Sequence, residues 1–172
     1  MHEEEINISQ FPTGCAKRII IESGAGYGKT TILRAIARHL ARNSSYIPAY
    51  ATSDALQSVS SIHGYLATVH NPNYQLSVDW VALSEQGRAV LLIDGLDELN
   101  DSARSHLLLA IQRTVARFPD MPVLIAARDA STAGLPADFT LARISRFDRT
   151  QTIELVKRYL KLRPELAADE VV

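Results

Sequence analysis

Ser23-Gly24-Ala25-Gly26-Tyr27-Gly28-Lys29-Thr30-Thr31 is the stretch that decides the fold. It follows a short apolar run, Arg18 to Glu22, and opens a segment of helical periodicity, Thr30 to Arg42. There Ile32, Leu33, Ile36, Ala37 and Leu40 make one face, and Arg34, Arg38 and Arg42 step by four along the other, a pattern read as a solvated face, with a subunit contact as the sharper alternative. Strand, glycine loop and helix in that order bind phosphate. Glycines let backbone N–H groups turn inward with no Cβ in the way. Lys29 adds a mobile cation for terminal phosphates, the Thr30 hydroxyl is a ligand for Mg²⁺, and the helix start favours anions through its unpaired N–H groups and dipole. The dinucleotide fingerprint G-x-G-x-x-G does not fit, because Lys29 stands where its third glycine belongs. Ser23 occupies the position of the usual first glycine, a departure expected to alter the turn and weaken binding without removing the cradle.

Two further runs, Ala89 to Asp94 and Val123 to Ala127, share the short, continuous apolar character of Arg18 to Glu22, which suits strands buried on both faces of a parallel sheet. Tyr46 to Ala51 and Phe139 to Ile144 are weaker strand candidates. Between them, Leu107, Leu108, Ile111 and Val115 mark a helix over Ser102 to Arg117, with Asp101 as its cap and Pro119 as its stop. Val59, Ile62, Leu66 and Val69 predict another helix, ended near Asn71-Pro72-Asn73. Asp148 and Gln151 open a last one through Ile153, Val156 and Leu160. Strands alternating with helices predict an α/β domain with a mainly parallel sheet, whose ligands bind beyond the carboxyl ends of the strands. All three strong strands run into polar residues there: the glycine loop, Asp94, and Arg128-Asp129.

In Leu91-Leu92-Ile93-Asp94-Gly95-Leu96-Asp97-Glu98-Leu99, an aspartate closing a buried strand opposite a phosphate loop is placed to hold Mg²⁺ through water. Asp97 and Glu98, just beyond it, are the candidates to orient and deprotonate an attacking water. Arg128 is placed to sense a terminal phosphate and stabilise transition-state charge; a plain salt bridge to Asp129 or Asp94 is the alternative.

The bulk properties narrow the class. A chain of 172 residues, 47% hydrophobic and 22% charged, suits one domain with a buried core. The net charge of −1 provides no footprint for nucleic acid or an anionic membrane. The single cysteine, Cys15, rules out an internal disulfide and fits a reducing cytoplasm. No apolar run approaches the length that spans a bilayer, and the acidic Met1-His2-Glu3-Glu4-Glu5 has the wrong sign for a secretory signal. The five histidines are scattered, with no metal-ligand spacing.

Taken together these segments resemble the NACHT group of STAND NTPases, relatives of the AAA+ ATPases. Ser23 to Thr31 looks like the family's Walker A, with its paired threonines; Leu91 to Leu99 is close to its Walker B, in which a small residue and then an acidic pair follow the Mg²⁺ aspartate. Leu124 to Arg128 resembles the sensor 1 strand and arginine, and Phe147-Asp148 the entry to the helical lid. The resemblance, over residues 17 to 160, implies a three-layer P-loop NTPase core with strand order 2-3-4-1-5. It also implies residues 1–146 as the nucleotide-binding domain and 147–172 as the start of a lid that is cut short. ATP or ADP with Mg²⁺ would be bound by Ser23, Gly24, Ala25, Gly26, Tyr27, Gly28, Lys29, Thr30 and Thr31, with the metal on Thr30 and Asp94. Family members are ATP-dependent switches that self-associate, and the resemblance implies that this chain is the nucleotide-binding core of a larger signalling protein of prokaryotic defence or regulation, with effector and sensor domains outside it. Three functions follow: a slow switch ATPase working through Lys29, Thr30, Asp94 and Asp97, a nucleotide-holding oligomerisation module with little turnover, and a small-molecule or nucleoside kinase. The Asp-Gly-Leu-Asp-Glu turn and the sensor-like Arg128 argue against the kinase.

Overall fold

A computed structural model describes residues 11–13, 16–24, 26–73, 75, 77–128 and 134–144. In chain order the elements are β1 (Arg18–Glu22), α1 (Lys29–Asn43), β2 (Ile47–Thr52), α2 (Ser53–Leu56), α3 (Ile62–Tyr65), α4 (Asn71–Asn73), α5 (Trp80–Glu85), β3 (Ala89–Asp94), α6 (Asp101–Arg117), β4 (Val123–Ala127) and β5 (Thr140–Arg143). The five strands form one sheet in the order β2-β3-β4-β1-β5, every pair parallel. The three strong apolar runs are thus the three central strands, with the boundaries expected, and the two weaker ones lie at the edges, each within a residue of expectation. Cys15, Asp129 and the expected last helix and lid at 147–172 lie outside the described residues.

Continuous apolar strands make sense because both faces of the sheet are covered. In β3, Val90 and Leu92 face Leu33, Ile36 and Leu40 of α1, whereas Ala89, Leu91 and Ile93 belong to the opposite core with Leu107, Ile111 and Val115 of α6. All six residues of β3 are buried. Arg34, Arg38 and Arg42 of α1 are exposed, in keeping with a solvated face.

Two local expectations are corrected. The cap of α6 is Asn100, not Asp101: its side chain accepts from the Ala103 N–H at 2.9 Å, placing Asp101 in the first turn, where a carboxylate still suits the helix dipole. The helix expected from Val59 and ended near Asn71-Pro72-Asn73 starts later, at Ile62, and runs to Asn73 with a π-helical turn inside it. Ser61 caps α3 by accepting from the Gly64 N–H, and a π-helical turn then spans Leu66–His70. Its longer repeat turns His70 inward, edge-on to Trp80, and leaves Val69 40% exposed. The Trp80 indole N–H donates to the Asn71 side chain, whose amide donates in turn to the Val78 carbonyl, so polar bonds rather than an apolar stripe set this segment's path.

Behind the sheet, His63 is buried with its ring 4.3 Å from that of Phe118. Its Nε2 lies 2.8 Å from the Ser84 hydroxyl, which spends its one proton on the Trp80 carbonyl. His63 must therefore donate from Nε2 in its neutral form. Burial, and secondarily the charge of Arg117, push its pKa below the ordinary value of 6.5; burial does the same to His70. In the unfolded chain both accept protons near that ordinary value, but in the folded chain only at lower pH. Their contribution is complete above about pH 6.5 and is lost as the pH falls through their folded pKa values. Thermal melts should show a lower midpoint at pH 5.5 than at pH 7.5, with a shallower decline in His63→Gln; parallel pH profiles for the two proteins would contradict this.

The turn after β3 carries the acidic residues toward the strand ends. Gly95 has φ 81°, a left-handed conformation costly for any residue with a Cβ, and its carbonyl is held by the buried Ser53 hydroxyl at 2.6 Å. A Cβ there would lie 2.9 Å from the Glu98 carboxyl carbon, but Glu98 is exposed and its far end can swing away. The backbone cost should dominate. Gly95→Ala should lose about 1–2 kcal/mol in denaturant unfolding. Adding Glu98→Ala should not restore that loss, and full recovery in the double variant would identify side-chain crowding as the cause.

Candidate functional site

The carboxyl ends of β3, β4 and β1, adjacent in the sheet, bring the three sequence motifs to one edge. From β1 the chain passes through Ser23 and Gly24 to Gly26 and Gly28, whose φ values of 80° and 84° lie in the left-handed region. Gly28 is the N-cap of α1, and no acidic residue occupies the first turn, so the positive helix end is not neutralised by a carboxylate of its own. A Cβ added at Gly26 or Gly28 would meet nothing within 4 Å; glycine is required there by backbone conformation, and the space above the loop is open. Gly24 differs: a Cβ there would lie 3.2 Å from the Tyr27 ring, which closes over it. Lys29 folds back, donating to the carbonyls of Ser23 at 2.8 Å and Gly24 at 3.1 Å. Thr30 and Thr31 are exposed on the first turn; Ala25 lies outside the described residues.

Ser23 is buried, its N–H donating to the Ala127 carbonyl at 3.3 Å, so the serine in place of glycine still joins the loop to β4. Its hydroxyl finds no partner among the described residues. Next to it, the buried Glu22 at the end of β1 is paired with Arg143 of β5 at 3.1 Å.

Asp94, only 8% exposed, ends β3 on the α1 face of the sheet and accepts a hydrogen bond from the Tyr50 hydroxyl at 2.7 Å. Beyond it, Leu96–Glu98 form a single 3₁₀ turn. That turn separates the two candidate carboxylates: the Asp97 side chain is 8% exposed, whereas Glu98 stands in solvent. Arg128, just past β4, pairs with Asp97, Nε to Oδ2 2.7 Å. Among the described residues the salt bridge thus goes to Asp97 rather than to Asp94, and Asp129 lies outside them. The second oxygen of Asp97 is buried without a partner among the described residues.

These residues fit a nucleotide with its metal. Two buried polar atoms at this edge, the Ser23 hydroxyl and one Asp97 oxygen, lack the partners that buried polar groups normally have. The loop has open space at Gly26 and Gly28 and leads into Lys29 at the start of α1, and Asp94 ends β3 at the same edge of the sheet. The loop, Asp94, Asp97, Glu98 and Arg128 stand out by sequence motif, whereas Tyr50, offset by two residues from Asp94 in the β2–β3 register, carries none. No group of three metal-ligating side chains occurs among the described residues, and no helix among them is long and apolar enough to cross a membrane.

Comparisons with known proteins agree with this geometry. The 67 kDa subunits of magnesium chelatase from Chlorobaculum parvum and Chlorobaculum tepidum are each 30% identical over 125 residues, which is 72% of this chain but only 18% of theirs. Among solved structures, domain III of the Thermotoga maritima replication initiation protein DnaA matches with a TM-score of 0.56 at 17% identity, covering 91% of this chain and 65% of that one. Aquifex aeolicus DnaA bound to AMPPCP gives 0.52 at 17% identity over 83% and 44%, and the Drosophila ORC bound to DNA 0.60 at 13% over 95% and 46%. At such identities the structural likenesses establish the fold alone. The model of the NACHT domain family matches residues 17–163. With the parallel sheet in the order 2-3-4-1-5 and the glycine loop opening its first helix, the chain belongs to the NACHT domain family, a nucleotide-binding domain of the P-loop NTPase class.

Proposed function

We propose that the chain is the ATP-binding, slowly hydrolysing switch domain of a STAND-type signalling protein, coupling nucleotide state to self-association. The observation that carries this reading is the placement of Asp97: a buried carboxylate one turn beyond Asp94, with one oxygen held by Arg128 and the other unpartnered among the described residues. A buried oxygen with an open lone pair is what an attacking water needs for orientation and for loss of its proton. Loop N–H groups and Lys29 would hold the phosphates, the lysine exchanging two neutral carbonyls for charged oxygens. Thr30 and Asp94 would hold Mg²⁺, which neutralises phosphate charge when bound. Hydrolysis breaks the bond between the terminal phosphorus and its bridging oxygen, and the proton of the water passes to Asp97. Glu98, exposed on the same turn, is the second carboxylate within the motif.

The Arg128–Asp97 pair also supports the companion reading, a module that holds nucleotide with little turnover, because the guanidinium occupies one of the two Asp97 oxygens and restrains the side chain. In both readings the partner in self-association is a second copy, and effector and sensor functions reside elsewhere.

Purified protein with saturating ATP and Mg²⁺ should melt roughly 5–10 °C higher than without, the shift expected for a ligand at about 100 times its Kd on a domain of this size. Lys29→Ala should abolish the shift; absence of any nucleotide shift in the wild type would sink both readings. Asp97→Asn should keep the shift and lose turnover by about 10²–10⁴-fold. If the wild type binds but shows no turnover above the Asp97→Asn background, the module reading replaces the switch ATPase.

Arg128→Gln decides what the arginine does. Under the switch reading turnover at saturating ATP should fall by at least about tenfold, since a transition-state charge partner is lost. A rise would mean that its main effect is to restrain Asp97.

A further inference from the structure

Asp94 is assigned by its motif, but nothing in the motif says how its carboxylate is aimed. Strand β2 does this. Tyr50 sits opposite Leu92 in the β2–β3 register, with Thr52 opposite Asp94, so Tyr50 and Asp94 share the face of the sheet that α1 covers. The Tyr50 hydroxyl donates to Asp94 Oδ2 at 2.7 Å, the short distance of a hydrogen bond to a charged acceptor. The Arg34 guanidinium lies 5.9 Å from the Tyr50 ring centroid. Arg34 is one helical turn beyond Thr30, so the tyrosine links the first turns of α1 to the end of β3.

We propose that Tyr50 is a positioning residue for the metal: by occupying Oδ2 it fixes the Asp94 side chain and leaves the other oxygen to face Mg²⁺ or its bound water. This rests on Asp94 being the metal carboxylate. A carboxylate free to rotate loses part of its interaction with a metal to side-chain entropy, and groups that orient a ligand in this way commonly contribute tenfold or more to metal affinity. Tyr50→Phe removes one oxygen and keeps the ring in its packing, so it isolates the hydroxyl.

The test is a Mg²⁺ titration of nucleotide binding, followed through a fluorescent ADP and through the melting temperature, for the wild type, Tyr50→Phe and Asp94→Asn. In Tyr50→Phe the Mg²⁺ concentration at half-effect should rise roughly tenfold, while affinity for the nucleotide in EDTA stays unchanged. An unchanged or lower Mg²⁺ midpoint overturns the proposal. So does an equal loss of nucleotide affinity with and without Mg²⁺, which would make Tyr50 a packing residue. Asp94→Asn separates the two levels. If it loses the Mg²⁺ dependence while Tyr50→Phe keeps the wild-type midpoint, only the role of Tyr50 falls. If it retains the wild-type midpoint, Asp94 is not the metal residue and both assignments fall.

Discussion

Parallel strands are all entered from one end of a sheet and left from the other, and the site depends on that constraint. β3, β4 and β1 pair side by side in the same direction, so whatever follows each of them emerges at a common edge. Three segments up to 105 residues apart, the glycine loop, the acidic turn and Arg128, meet there without any long loop having to reach across the domain. The cost of the arrangement is that both faces must be covered. α1 covers one and α6 the other, which is why the strands are apolar at nearly every position.

At that edge backbone conformation shapes the glycine loop, and side chains from neighbouring strands hold the carboxylates. Gly26 and Gly28 hold the left-handed turns that lead into the start of α1. The two buried aspartates are each held by a side chain outside their own motif: Asp94 by Tyr50 of β2, Asp97 by Arg128 after β4. The acidic turn is therefore bracketed by the strands on both sides of β3, and a shift of either strand moves a carboxylate.

Sequence patterns worked where one physical cause dominated. Arg18–Glu22, Ala89–Asp94 and Val123–Ala127 were legible as buried parallel strands because desolvation on both faces leaves room for little but apolar side chains. They failed where local polar bonding competed with periodicity. Asn100 took the cap expected of Asp101, because either side chain can accept the same N–H and the backbone path chose between them. The helix expected through Val69 runs on to Asn73 but carries a π turn at Leu66–His70, beside which Asn71 and Trp80 tie the chain through hydrogen bonds that no apolar repeat encodes.

The amino-acid sequence by itself determined the α/β class, the glycine loop with Lys29 and Thr30, and the acidic residues after β3, since each follows from contiguous residues whose backbone or solvation demands are local. It did not distinguish Asp97 from Glu98, nor name the partner of Arg128, nor mark Tyr50 at all. Those were decided by tertiary structure: one 3₁₀ turn buries Asp97 and leaves Glu98 in solvent, and the register of β2 on β3 brings a tyrosine 44 residues away in sequence to within 2.7 Å of Asp94. Burial and distance of this kind are properties of packed neighbours, which adjacent residues in the chain do not specify.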